Sequence, residues 1–153
     1  MTMHPSLDEE IRDGMRFMRA ALQEGRKALP NCLPNPPVGC VLVRGGQIIA
    51  SGYTQVQGES HAEAMALSQV SGDLSDVSSY VTLEPCSFYG RTPSCAKALI
   101  DRGIGRVFVA TLDPDPRNSG AGIKLLEAAG VMVKIGMLEK EAIEDLGLYL
   151  VRS

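Results

Sequence analysis

The sequence contains no run approaching the ~18 consecutive apolar residues that would span a membrane. It also has no excess of positive charge. Its 15 Lys and Arg are outnumbered by 18 Asp and Glu, giving a formal net charge of −3. Broad capture of nucleic acid is therefore disfavoured, because phosphate neutralisation draws on clustered cations. Met1 to Glu10 carries Pro5, Asp8, Glu9 and Glu10 and fits neither a signal nor a transit peptide, so a cytoplasmic location is expected. Repeats, low-complexity tracts and internal composition shifts are absent, so residues 1–153 are expected to form one domain. Histidine is scarce, with only His4 and His61.

What is present is ordinary globular material, 44% hydrophobic and 22% charged, which excludes disorder as the default. A chain of this size buries roughly two-thirds of its unfolded surface and needs no covalent staples. The four cysteines, Cys32, Cys40, Cys86 and Cys95, are therefore expected to be reduced. Reduced thiols near a histidine raise the question of a metal.

Apolar spacing predicts the elements. Ile11, Met15, Met18 and Leu22 form one helical stripe, with Ser6 and Glu9 as a capping box and Pro30 as the stop. Pro34, Pro36 and Pro37 predict an extended loop. Val38–Val43 and Gln47–Tyr53 read as strands around Gly45-Gly46, a type I′ or II′ hairpin signal. Further along, helices are expected over Ser60–Val70, from Pro93 to Asp101, over Ile123–Ala129 and over Leu138–Val151. Strands are expected over Tyr80–Leu83, Val107–Ala110 and Val131–Ile135. A hairpin followed by βα units implies one mixed sheet covered by helices on both faces.

Three segments carry the chemistry: Ser60-His61-Ala62-Glu63, Glu84-Pro85-Cys86 and Thr92-Pro93-Ser94-Cys95. One imidazole and two thiolates suit zinc and leave a fourth position open for water. H-x-E followed by P-C is the pattern of zinc deaminases, in which the glutamate shuttles protons and is not a ligand. Here the second cysteine lies nine positions after the first rather than three.

That spacing, with Gly90-Arg91-Thr92-Pro93 inside it, resembles the deaminase half of the bacterial bifunctional riboflavin-biosynthesis deaminase/reductases. Pro34-Asn35-Pro36-Pro37-Val38-Gly39-Cys40-Val41, Gly58-Glu59-Ser60-His61-Ala62-Glu63, Tyr80 to Ser87 and Asp113-Pro114-Asp115-Pro116 extend the resemblance over nearly the whole chain. It implies a cytidine-deaminase-like α/β fold, a three-layer α/β/α sandwich with a five-stranded mixed sheet. It also implies one zinc per chain on His61, Cys86 and Cys95, with Glu63 as the shuttle. Asn35, Arg91, Asp113 and Asp115 would be substrate contacts. The implied reaction is hydrolytic deamination of a diaminohydroxy-phosphoribosylaminopyrimidine or its ribitylamino counterpart, by a homodimer or homotetramer. Since the chain ends at Ser153, a deaminase domain without a reductase half is expected. The chain departs from the family at Phe88-Tyr89, at Asp115 (where Asn is usual) and at Ser119-Gly120-Ala121-Gly122.

Other readings stand beside these. Ser60-x-x-Glu63 is also a legitimate capping box, and Cys86 and Cys95 would pack well as small hydrophobes. Cys40 reads as core, Cys32 as a loop thiol without a partner, and Met15 and Met18 as core stripe. Cys95, early in a helix, is expected to gain thiolate character from the helix dipole. The backbone amides of Ser119 to Gly122 open another helix and are a second candidate, after Arg91, for holding a substrate phosphate. Competing functions are deamination of another nucleobase, nucleoside or tRNA base, and a zinc-stabilised binding module without catalysis.

Overall fold

The structure, a computed structural model, describes residues 7–87 and 94–150, with side chains from Ile11 onward. His4, Ser6, Phe88, Tyr89 and Arg91 lie outside the described residues, as does Pro93. The elements follow the expected order: α1 (Leu7–Arg26), β1 (Gly39–Arg44), β2 (Gln47–Tyr53), α2 (Ala62–Leu67), β3 (Ser78–Val81), α3 (Cys95–Asp101), β4 (Arg106–Val109), α4 (Ala121–Ala128), β5 (Met132–Ile135) and α5 (Glu139–Leu150). The strands form one mixed sheet in the order β2-β1-β3-β4-β5, with β1 antiparallel to β2 and β3, and β3, β4 and β5 mutually parallel. Gly45 and Gly46 both have positive φ, at 57° and 78°. Of the two hairpin turns expected, this is the I′ pattern, whose twist matches the strands it joins.

Alternation along the central strands splits the core in two. Cys40, Leu42, Val81, Val107 and Val109 pack with residues of α2, α3 and α4 on one face. Val41, Val43 and Tyr80 pack with α1 and α5 on the other. Because both faces are covered, the central strands are apolar on both sides rather than alternating with polar residues. Tyr80 and Phe108, register partners in β3 and β4, stack with ring centroids 4.5 Å apart. No helix among the described residues is long and apolar enough to cross a membrane.

Several local expectations are corrected. Ile11 is 47% exposed, and Met15 only half-buried, whereas Phe17, Met18, Ala21 and Leu22 are buried. The contact face of α1 is centred on small residues that a count of large apolar side chains passes over. A β-carbon on Gly25 would sit 2.6 Å from the Pro37 carbonyl oxygen, and one on Gly39 would collide with the Ala21 carbonyl. Helix and strand approach backbone to backbone there. α1 ends at Arg26, four residues before Pro30, and residues 27–34 form turns closed by such bonds as Cys32 N–H to the Ala28 carbonyl, so the proline-rich stretch is extended only at its end. α2 is far shorter than the expected Ser60–Val70. Arg102 terminates it from outside, its guanidinium donating to the Leu67 carbonyl at 2.9 Å and the Val70 carbonyl at 2.6 Å. Cys32 lies in the turns after α1, as expected, and is buried there.

Candidate active site

His61 is the residue on which α2 starts. Its own side chain makes no capping bond, and Ser60 lies outside the helix and exposed. The capping-box reading of Ser60 and Glu63 therefore fails, because the helix begins one residue too late for it. Glu63, in the first turn of α2, is turned inward and only 4% exposed. Cys86 follows β3 in an irregular segment, and Cys95 is the first residue of α3. Ser94 caps α3 by accepting the Lys97 N–H at 3.2 Å, and its hydroxyl donates to the Cys86 carbonyl at 2.7 Å. One serine thus starts the helix that carries one thiol and ties down the segment that carries the other.

The three side chains converge. His61 Nδ1 lies 3.2 Å from Cys95 Sγ and 3.9 Å from Cys86 Sγ, and the Cys95 N–H donates to Cys86 Sγ at 3.2 Å. All three donor atoms fall within 4.8 Å of one another, the grouping among the described residues that could hold a metal ion. Burial raises the Glu63 carboxyl to about 7, with the negative charge of Cys86 adding to the shift and His61 opposing it. Hydrogen bonding from Cys95 pulls the Cys86 thiol down, and the same bond, with burial, pushes the Cys95 thiol up. In the metal-free protein the bond to Cys86 and burial thus oppose the thiolate character expected for Cys95. His61 is raised chiefly by its bond to Cys86.

Behind this cluster lies a buried carboxylate that the sequence reading passed over. Glu84 is 3% exposed and accepts four backbone N–H groups: Asp113 and Gly120 on Oε1 at 3.1 and 3.0 Å, Gly122 and Ile123 on Oε2 at 2.9 and 3.3 Å. The N-terminus of α4 therefore already holds its anion, as helix dipoles and unpaired amides favour. The expectation that the amides of residues 119–122 bind a substrate phosphate is corrected accordingly. Gly122 is required because a β-carbon there would collide with the Pro85 carbonyl. The available signal was an acidic residue set between an apolar strand and Pro-Cys, with Gly120-x-Gly122 downstream.

The expected substrate contacts are placed unevenly. Asn35 is half-buried at the end of the turns after α1, its N–H donating to the Cys32 carbonyl. Asp113 Oδ1 accepts the Asp115 N–H at 3.0 Å, and the Asp115 carboxylate is paired with Arg117, the shortest contact being 2.6 Å. Asp115 therefore does not confront a substrate as a bare charge. Cys40 is fully buried, as expected, against Ser79 Oγ at 3.4 Å.

Residues 12–111 match the family model described as the cytidine and deoxycytidylate deaminase zinc-binding region. The chain belongs to that deaminase family. It is 47% identical over 128 residues to the riboflavin biosynthesis protein RibD of Aquifex aeolicus, a match covering 84% of this chain and 36% of the relative. The chain thus spans about a third of that relative's length. Among solved structures, RibD of Acinetobacter baumannii superposes with a TM-score of 0.89 at 39% identity, over 92% of this chain and 40% of that one. A diaminohydroxyphosphoribosylaminopyrimidine deaminase/5-amino-6-(5-phosphoribosylamino)uracil reductase of Thermotoga maritima gives 0.86 at 37% identity, over 92% and 41%. The deaminase fold, with its five-stranded mixed sheet, is the one the sequence led us to expect.

Proposed function

We propose that this chain catalyses hydrolytic deamination of a diaminohydroxy-phosphoribosylaminopyrimidine, or the ribitylamino equivalent, using one zinc ion held by His61, Cys86 and Cys95. The observation that carries the reading is the convergence of these three donors beside the buried carboxylate of Glu63. The donor set fits the metal. Zinc bonds of ~2.0–2.1 Å to nitrogen and ~2.3 Å to sulfur, in a tetrahedron, set nitrogen–sulfur edges of about 3.6 Å. The observed 3.2 and 3.9 Å bracket that value. The activity for which the Thermotoga maritima relative is named supports the substrate class.

A zinc ion held by His61, Cys86 and Cys95 would supply Lewis acidity and make water a usable nucleophile near neutral pH. The rest falls to the protein. Glu63, buried in the first turn of α2 and raised by that burial in the metal-free protein, is placed to accept a proton and return it. It takes a proton from the attacking water and delivers it to the ring nitrogen beside the amine-bearing carbon. It then takes the second proton of the added hydroxyl and gives it to the departing amine. The carbon–nitrogen bond breaks, ammonia leaves and a ring carbonyl remains. Burial keeps bulk water from short-circuiting these transfers.

Arg91 is our candidate for the substrate phosphate, Asn35 and Asp113 for the pyrimidine, and Asp115 acts together with Arg117. All four cysteines are unpaired, which fits a reducing, cytoplasmic setting. We take the working form to be a homo-oligomer, to be tested by light scattering. The deciding experiment follows ammonia release by zinc-loaded protein from the diaminopyrimidine phosphate, cytidine, guanine and a tRNA substrate. Turnover of the first alone, abolished by chelation and restored by zinc, is expected. Turnover of another substrate in its place would redirect the assignment, and none at all would favour the non-catalytic module.

A further inference from the structure

We propose that Asn118 is the positioning residue of the Cys86 thiolate; the proposal rests on the reading that His61, Cys86 and Cys95 bind zinc. Asn118 lies between β4 and α4 and is fully buried, although polar. Its Oδ1 accepts the Ser87 N–H at 2.9 Å, and its Nδ2 donates to the Pro85 carbonyl at 3.3 Å and to Asp113 Oδ2 at 3.4 Å. The partners fix the amide's orientation, because a backbone N–H needs the oxygen, and a carbonyl and a carboxylate need the nitrogen.

The two backbone partners flank the ligand. The Pro85 carbonyl belongs to the peptide plane before the Cys86 α-carbon, and the Ser87 N–H to the plane after it. One side chain therefore holds both planes, and with them φ and ψ of Cys86. The Cys86 carbonyl is held from the other side by the Ser94 hydroxyl and the Ala96 N–H. With its backbone fixed in this way, Cys86 has only rotation about its Cα–Cβ bond left to place Sγ. Asp113 orients the Asn118 amide from behind. Groups that orient a ligand in this way typically contribute 10–100-fold to metal affinity.

The test compares zinc affinity, by chelator competition, with the thiolate-to-cobalt charge-transfer spectrum of the cobalt-loaded protein. Variants are Asn118→Leu, Asn118→Ala and, as a control, Leu146→Ala, which opens a cavity under α5 on the opposite face of the sheet. Both Asn118 variants should bind zinc at least tenfold more weakly and show an altered charge-transfer band. Leu146→Ala should lower the melting temperature yet keep the wild-type spectrum and affinity within twofold. If neither Asn118 variant folds, Asn118→Asp, which keeps an oxygen for Ser87 but loses the donor to Pro85, is read by the same criterion. Wild-type affinity and spectrum in the Asn118 variants would overturn the proposal, as would an equal loss of affinity in Leu146→Ala. Failure of the wild-type chain to bind either metal would instead overturn the zinc reading.

Discussion

Glu63 is buried in the first turn of α2, which starts at His61, but its removal and the removal of a proposed metal donor should have different consequences. Glu63→Gln keeps size and shape and leaves the donor set intact. Zinc content should stay at one per chain while kcat falls by at least ~10²-fold, the low end for general acid–base catalysis. Activity within a factor of a few of wild type would remove Glu63 from the proton path. Cys86→Ser acts on the other side of the division: it should lose zinc, and with it the part of the folding free energy that metal binding contributes. Metal analysis and thermal melts of the same sample check both losses. A pH dependence follows from the thiols. Cys86 is shifted down and Cys95 up, so the thiol pair of the metal-free protein is expected to retain a proton near neutral pH that ligation must expel. Zinc binding should then release at least one proton and weaken by ~tenfold for each unit of acidification per proton displaced. Calorimetry in buffers of different ionisation enthalpy measures the release, and an affinity flat from pH 7 to 8.5 would contradict the assignment.

Between elements, the decisive contact is Glu84 against the start of α4. Glu84→Gln keeps one acceptor oxygen but turns an NH2 group toward backbone N–H donors. It should destabilise the zinc-free protein by about 3 kcal/mol, since buried donors lose a charged partner. Urea unfolding reads this directly, and a loss under about 1 kcal/mol would mean the amides find other acceptors. This is also where sequence reading stopped short. The amides of residues 119–122 were visible as an anion site, and the glycines were visible as room for close approach. That the anion would be Glu84, 36 residues upstream of Gly120, is a pairing made by the parallel β3–β4 register, and local pattern does not encode it. Asn118 was hidden for the same reason: both its backbone partners lie more than 30 residues away. By contrast, the His61, Cys86 and Cys95 set was legible, because donor chemistry restricts which residue types can serve. The face of α1 was misread at Ile11 because the real contact runs through Gly25 and Gly39, residues without a hydrophobic signal.

For the molecule as a whole, element order and two-sided burial followed from apolar periodicity, and their consequence is an asymmetry. All three donors come from one side of the sheet: His61 at the start of α2, Cys86 after β3 and Cys95 at the start of α3. The core on that face joins α2, α3 and α4, whereas α1 and α5 share the other. α2 and α3 have six and seven residues, too short to be stable without tertiary partners. A metal bridging their first turns to the segment after β3 should therefore stabilise this face locally. Binding to the folded state alone adds about 2.7 kcal/mol when free zinc is 100 times its dissociation constant. Chelation should accelerate amide exchange in residues 61–70 and 94–101. The long α1, held by its glycine contacts with β1, should change little. Hydrogen exchange with and without chelator tests this segment by segment. Equal acceleration in α1 and α5 would mean that zinc stabilises the fold globally rather than this face. No change in α2 and α3 would mean that their packing on Cys40, Leu42 and Val81 suffices without the metal.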